Sequence, residues 1–208
     1  MYEQRPSRLP FIQCIWRASV LEADEYDDPA KDTWGLAFTR PADGVMSAEL
    51  LGQSFNFRVL DSTVGDDYWG VEFYPYVTMR GVDKPAMTGK LVHLRVADGQ
   101  FFIGEDAYAI PSYDELEAWC ERLASRGVVS HTTRHARMSV RSQQRAHRQT
   151  VGLTRKQVQQ IKRAEHAAQL LRQGTSPTDA ASEAGYADQA HMTRSLKALL
   201  GKTPSQLS

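Results

Sequence analysis

The hydrophobic period of this chain changes once, near residue 112, and that change divides what the chain can fold into. Ahead of it, apolar residues come in short runs rich in aromatic and β-branched side chains, at 11–20, 34–40, 54–60, 68–79 and 90–96. Turn-forming clusters separate the runs: Asp43-Gly44, Gly65-Asp66-Asp67, Asp83-Lys84-Pro85, Asp98-Gly99 and Gly104-Glu105-Asp106. In Trp69-Gly70-Val71-Glu72-Phe73 and across 91–96 the alternation assigns one buried face. Short strands at such spacing predict a barrel-like or sandwich-like sheet. Beyond the change the period is helical. Ser112 and Glu115, three apart, make a capping box ahead of Leu116, Trp119, Cys120 and Leu123, which predicts a helix over about 113–126 that Gly127 stops. The fold class expected is α+β, with a β-rich amino-terminal domain (1–111), a connecting helix (112–127) and an all-α domain (128–208).

Charge divides at the same place. The chain has 25 basic and 25 acidic residues, a formal net charge of zero. Residues 1–127 hold 12 basic and 21 acidic side chains, net −9, and residues 128–208 hold 13 and 4, net +9. From Arg122 to Ala164, 43 residues carry 11 Lys or Arg and no Asp or Glu. A solvated basic helix normally interleaves acids at i,i+4, so this stretch favours a polyanionic partner. The segregation also predicts that the acidic half shields the basic half when no such partner is bound.

The last seventy residues hold two cap-and-turn units. Val158, Ile161, Ala164, Ala168 and Leu171 mark one face of a helix over 154–173 that Gly174 ends. Ser176-Pro177-Thr178-Asp179 is a start signal, with an N-cap Ser, Pro at the first helical position and an acid at the third. That short helix stops at Gly185-Tyr186. Asp188 then caps a second one, 189–200, whose apolar positions Met192, Leu196 and Leu199 leave Gln189, Ala190, Thr193, Arg194 and Lys197 outside. Two short helices joined by a Gly-containing turn make a helix-turn-helix. Upstream, Ser139 is positioned to cap a helix to about Thr150 that displays Arg141, Gln144, Arg145 and Arg148 and ends at Val151-Gly152-Leu153.

These residues resemble a family. The runs 170–174, Asp179 through Lys197, and Gly201-Lys202-Thr203-Pro204 are similar to the second helix-turn-helix of AraC/XylS transcription regulators; Ser139-Val140-Arg141, Arg145 and Gly152-Leu153-Thr154 resemble the end of the first. The likeness spans about 139–207. It implies a bacterial-type, sequence-specific regulator whose two recognition helices enter successive major-groove segments of double-stranded DNA, held apart by a linker helix. Carried over by position, Ala190, His191 and Arg194, flanked by Gln189 and Thr193, are the base-reading candidates of the second helix, and Arg141, Gln144 and Arg145 those of the first. Arg pairs with guanine and Gln with adenine, while Lys156, Lys162 and Lys197 suit phosphates. The chain departs from the family where Gln143 and His147 stand in place of apolar residues, and where eleven residues separate Gly127 from Ser139. These departures support a rival reading, a protein-binding regulator with a degenerate helix-turn-helix that docks on an acidic partner.

Other functions find little support. Cys14 and Cys120 are isolated and flanked by apolar residues, as expected of buried thiols in a reducing compartment. His131 and His135 have a zinc-compatible i,i+4 spacing without a third ligand nearby, so neither metal nor cofactor is expected. The first 127 residues hold one histidine, His93, before His131, carboxylates such as Glu72 and Glu105 lack a recognisable partner, and there is no nucleophile elbow, so no enzyme is expected. Trp69, Phe73, Tyr74, Tyr76, Phe101 and Phe102 either fill the core or line a small-molecule effector pocket. A homodimer fits the family resemblance. No apolar run approaches the roughly 18 residues of a spanning helix, and the start lacks an apolar segment behind its charges, so a cytoplasmic protein without membrane contact is expected.

Overall fold

The computed structural model describes the chain except residues 23–24, 43 and 132–139; at 25 and 140–142 it describes the backbone alone. The strands are β1 (Tyr2–Arg5), β2 (Ile12–Ser19), β3 (Glu25–Asp28), β4 (Trp34–Arg40), β5 (Ser47–Leu51), β6 (Arg58–Asp61), β7 (Asp67–Phe73), β8 (Val77–Met79), β9 (Leu91–His93), β10 (Val96–Ala97), β11 (Gln100–Ile103), β12 (Asp106–Ala109) and β13 (Val129–His131). The helices are α1 (Lys84–Met87), α2 (Leu116–Ser125), α3 (Val140–Val151), α4 (Arg155–Arg172), α5 (Pro177–Glu183), α6 (Gln189–Leu200) and α7 (Pro204–Leu207). The chain is β-rich and then helical, in the order the change of period predicts, but its last strand, β13, lies past the expected boundary at 128.

The main sheet is antiparallel, in the order β1-β2-β7-β4-β5-β9. Register puts Trp34 beside Phe73, Leu36 beside Val71 and Phe38 beside Trp69, so alternate residues of two central strands share one face. A three-stranded sheet, β10-β11-β12, and helix α2 cover that face. Phe101 meets Phe38 edge-on at 5.3 Å and tilts against Trp119 of α2 at 5.9 Å. Trp69, Phe73 and Phe101 are therefore core; Tyr74 and Phe102 are half-buried, and Tyr76 is exposed.

Differences from the sequence pattern have local causes. The run 68–79 divides into β7 and β8 at Tyr74-Pro75-Tyr76, because Pro75 has no N–H to give a ladder. Of 54–60 only Arg58–Leu60 enters a strand pair, with β3, while Ser54 makes an isolated antiparallel bridge with Lys31. Residues 53–57 turn away toward the helical domain. Helix α2 begins after Glu115, one turn later than predicted, and the capping box is half made: the Glu115 carboxylate accepts from Ser112 N–H at 3.0 Å. Strand β13 pairs with β8, Val129 beside Met79, so the residues just past Gly127 belong to the sheet region. Cys120 is buried and Cys14 half-buried, both free. Burial pushes the Cys14 thiol up to about 12, so it stays protonated at neutral pH.

Lys84, on α1, is 2% exposed. Its ammonium donates to the carbonyls of Pro75 at 2.5 Å and Val77 at 2.8 Å and lies 5.5 Å from the Trp34 ring centroid. Burial pushes its pKa down to about 7, opposed by Asp32. The unfolded chain holds this proton up to the ordinary lysine value near 10.4. Between the two values the unfolded state binds the extra proton, so stability rises with pH; the cost of the buried charge is fully present below pH 7. From pH 7 to 8.5 the gain is roughly 1.5 kcal/mol. Urea melts of the parent chain and Lys84→Met should differ by that increment across the interval, and an identical pH dependence in both would disprove it.

Candidate nucleic-acid interface

Helix α4 begins at Thr154, whose hydroxyl accepts from Gln157 N–H at 3.2 Å while the Gln157 carboxamide accepts from Thr154 N–H at 2.9 Å. This reciprocal box fixes the start of an 18-residue helix, about 27 Å long at 1.5 Å per residue. That length approaches the roughly 34 Å of one DNA turn. Ile161, Ala164, Ala168 and Leu171 on one face of α4 form a core with Ala180 and Ala181 of α5 and Met192, Leu196 and Leu199 of α6. Both short helices are capped as their sequences predict. Ser176 accepts from Asp179 N–H at 3.2 Å, and Asp188 accepts from His191 N–H at 2.6 Å. Gly201, at φ +71°, ends α6 in the left-handed conformation.

The turn between α5 and α6 is held by Tyr186, which the sequence pattern did not single out. Its ring is buried, takes the Arg163 guanidinium over its face at 4.5 Å and meets the His191 ring edge-on at 5.2 Å. Its hydroxyl lies 3.1 Å from Ser195 Oγ. Arg163 also donates to the Gly185 carbonyl at 3.3 Å. One aromatic side chain thus fixes the angle between the two helices through α4, the turn and α6. A Tyr directly after the Gly of such a turn was the available signal.

On α6, Gln189, Ala190, Arg194 and Lys197 are exposed, and His191 and Thr193 are half-buried. Arg194 has no hydrogen bond or ion pair among the described residues. Gln189 is steadied by Thr178 of α5, 3.3 Å from its Oε1, and Thr193 turns its hydroxyl back to the Gln189 carbonyl at 2.9 Å. Lys197 donates to the Gly201 carbonyl at 3.0 Å, complementing the negative end of its own helix. His191, packed on Tyr186, sits at the edge of the core.

On α3, Gln144, Arg145, Arg148 and Gln149 are exposed and Gln143, Ala146, His147 and Thr150 are half-buried. The exposed face is thus the one the sequence pattern offers to DNA. Arg141 lies in the first turn of α3 with its side chain outside the described residues, as are Ser139 and His135. His131, in β13, stacks on Phe11 at 6.3 Å. Among the described residues there is no cluster of three or more metal-ligating side chains, and no helix is long and apolar enough to cross a membrane.

The acidic and basic halves touch. Ala30 N–H donates to the Leu199 carbonyl at 2.7 Å and Phe57 N–H to Ala198 at 3.1 Å, closing the end of α6 with backbone of the amino-terminal domain. Lys162 of α4 pairs with Asp32 at 3.3 Å, and Lys202 with Asp27. Burial penalises the charge of Lys162, but Asp32 and Glu165 outweigh it and raise its pKa. A cleft of about 410 Å³ lies between the halves, lined by Lys31, Glu72, Lys162, Arg172 and Lys202 among others. Within it Lys31 bridges Glu72 at 3.0 Å and Asp28 at 3.2 Å.

Residues 132–208 match the family described as "Helix-turn-helix domain". Among solved structures, the chain is similar to ToxT from Vibrio cholerae, at 9% identity and a TM-score of 0.41 over 98% of this chain and 96% of that one. It is similar too to unsaturated fatty acid bound wild-type ToxT from strain SCE256, at 12% identity and a TM-score of 0.43 over 99% and 96%. No curated protein matches the chain in sequence.

Proposed function

We propose, from the premise that residues 132–208 match a helix-turn-helix domain, that this chain is a transcription regulator of the AraC type that binds promoter DNA through its major groove. The single observation carrying this reading is the α5–α6 unit: its core residues hold it rigid while an unpaired Arg194 stands exposed on the outer face of α6, beside Gln189 and Ala190. Arg194 reads a base, with Gln189, Ala190, His191 and Thr193 around it. Gln144, Arg145 and Arg141 do the same from α3, and Lys156 and Lys197 neutralise phosphates. The amino-terminal domain is the dimerisation or sensor part. Trp69, Phe73 and Phe101 are buried in its core, and a small-molecule effector would act at the cleft between the halves.

A gel shift against genomic fragments, selected with the parent chain, tests this. Arg194→Ala is expected to weaken a selected fragment by about 1–3 kcal/mol, roughly ten- to hundredfold, and random DNA far less. Equal losses on both would reduce Arg194 to a phosphate contact. Absence of any shift with the parent chain would overturn DNA binding and leave docking on an acidic protein as the reading.

A further inference from the structure

We propose that the amino-terminal domain is the scaffold of the first helix-turn-helix unit, with Gln53 and Thr88 positioning recognition helix α3. The two units differ in what lies ahead of their recognition helices. Helix α6 rests on two helices of its own domain, the 18-residue α4 and the 7-residue α5, and packs against both. Ahead of α3, strand β13 ends at His131 and α3 begins at Val140, so eight residues separate them. Eight residues are far fewer than the 25 of α4 and α5 together.

What α3 packs on instead is the amino-terminal domain. Its neighbours are α1 and β8 of that domain, together with α4. The turn from α3 to α4 is seated on the same domain. Gly152, at φ +84°, is buried, and a Cβ there would lie 1.3 Å from Nε2 of Gln53. That Nε2 donates to the Lys84 carbonyl and to Thr88 Oγ1, both at 3.1 Å. The Thr88 hydroxyl lies 3.3 Å from the carbonyls of Gly152 and Lys84, with one proton to share. Gln53 is fully buried, so its carboxamide is a fixed stop against which the Gly152 turn closes. The end of α1, Gln53 and the Gly152 turn make one hydrogen-bonded joint between residues about a hundred apart in sequence. The half-buried face of α3 carries Gln143 and His147, polar side chains at positions that suit a junction with a second domain better than a dry helical core. Any displacement of α1 or Gln53 therefore moves α3 directly, whereas α6 keeps its packing on α4 and α5 and meets the amino-terminal domain only where Ala30 and Phe57 close its last turn.

This inference rests on the DNA-binding reading for its consequence, and the test separates the two. Amide hydrogen exchange of the full chain, without DNA, is compared for the parent, Thr88→Val and Gln53→Ala. Thr88→Val keeps shape and removes the hydroxyl. It should speed exchange across 141–151 roughly threefold, and Gln53→Ala tenfold or more, with α4, α5, α6 and the main sheet unchanged. Unchanged exchange in α3, or an equal acceleration everywhere, overturns the proposal; if Gln53→Ala does not fold, Thr88→Val decides alone. Hydroxyl-radical footprints on a fragment selected with the parent chain supply the second measurement. The parent should protect two segments about one turn apart, and Thr88→Val should weaken the segment read by α3 while keeping the other. Equal weakening of both overturns the positioning role. A parent chain that protects no DNA overturns the DNA-binding reading, and the exchange result still decides the scaffold.

Discussion

Raising the salt from 50 to 200 mM is expected to weaken binding to DNA about a thousandfold. Six phosphate contacts at about −0.9 each give a slope of log K on log salt near −5, and a fourfold rise in salt then removes about three decades. Away from the cleft that Arg172 lines, the helical half supplies six exposed cations, Arg145, Arg148, Arg155, Lys156, Arg194 and Lys197, without drawing on Lys162 and Lys202, which are already paired with Asp32 and Asp27. Those two pairs act in the opposite sense. They are partly exposed, so salt screens them too, and loosening them frees two more cations as the phosphate attraction fades. The slope should therefore be shallower above about 200 mM than below it. Fluorescence anisotropy with a labelled fragment reads the slope directly. A flat dependence from 50 to 200 mM would sink the DNA reading.

Leu196→Ala is expected to destabilise the helical domain by about 2–5 kcal/mol. Leu196 is fully buried beside Met192 and Leu199, and the small residues Ala164, Ala168, Ala180 and Ala181 pack around them. Small neighbours leave few side chains able to swing into the vacated space, which puts the cost in the upper part of that range. Arg194, two residues away on the same helix, is exposed, and its replacement should change stability by no more than about 0.5 kcal/mol. The pair separates folding from reading. Chemical denaturation should distinguish the two variants clearly, whereas on a selected DNA fragment both should be impaired. If Leu196→Ala costs less than about 1 kcal/mol, the core described around α4 to α6 is not what holds the domain.

Features carried by local chemistry were legible in the sequence. Caps act within one turn and hydrophobic period within two, so α4, α5 and α6 and the outward face of α6 follow from residues a few positions apart. Strand β4 matches its sequence bounds for the same reason: 34–38 is a continuous apolar run with a clear edge at Thr39-Arg40. Short strands were less legible. Ser47–Leu51 buries only Ala48 and Leu50, too few residues for a period to declare itself, and β3 with its charged sequence EYDD is a strand only because β6 pairs with it. Tyr186 was visible as a residue and not as a joint, since its role depends on Arg163 being carried beside it by a different helix.

The segregation of charge, the change of period at 112 and the capped pair of short helices are properties of the chain alone, and they determine a β-rich acidic half, a helical basic half and an outward-facing Arg194. Tertiary structure alone decided how the halves meet. Asp32 beside Lys162, Ala30 closing α6, and Gln53 filling the space before Gly152 join residues about 100 to 170 positions apart. No periodicity connects such residues, because periodicity reports the repeat of one element, and a joint between elements is set by topology and by which backbone groups remain to be satisfied once each element has formed.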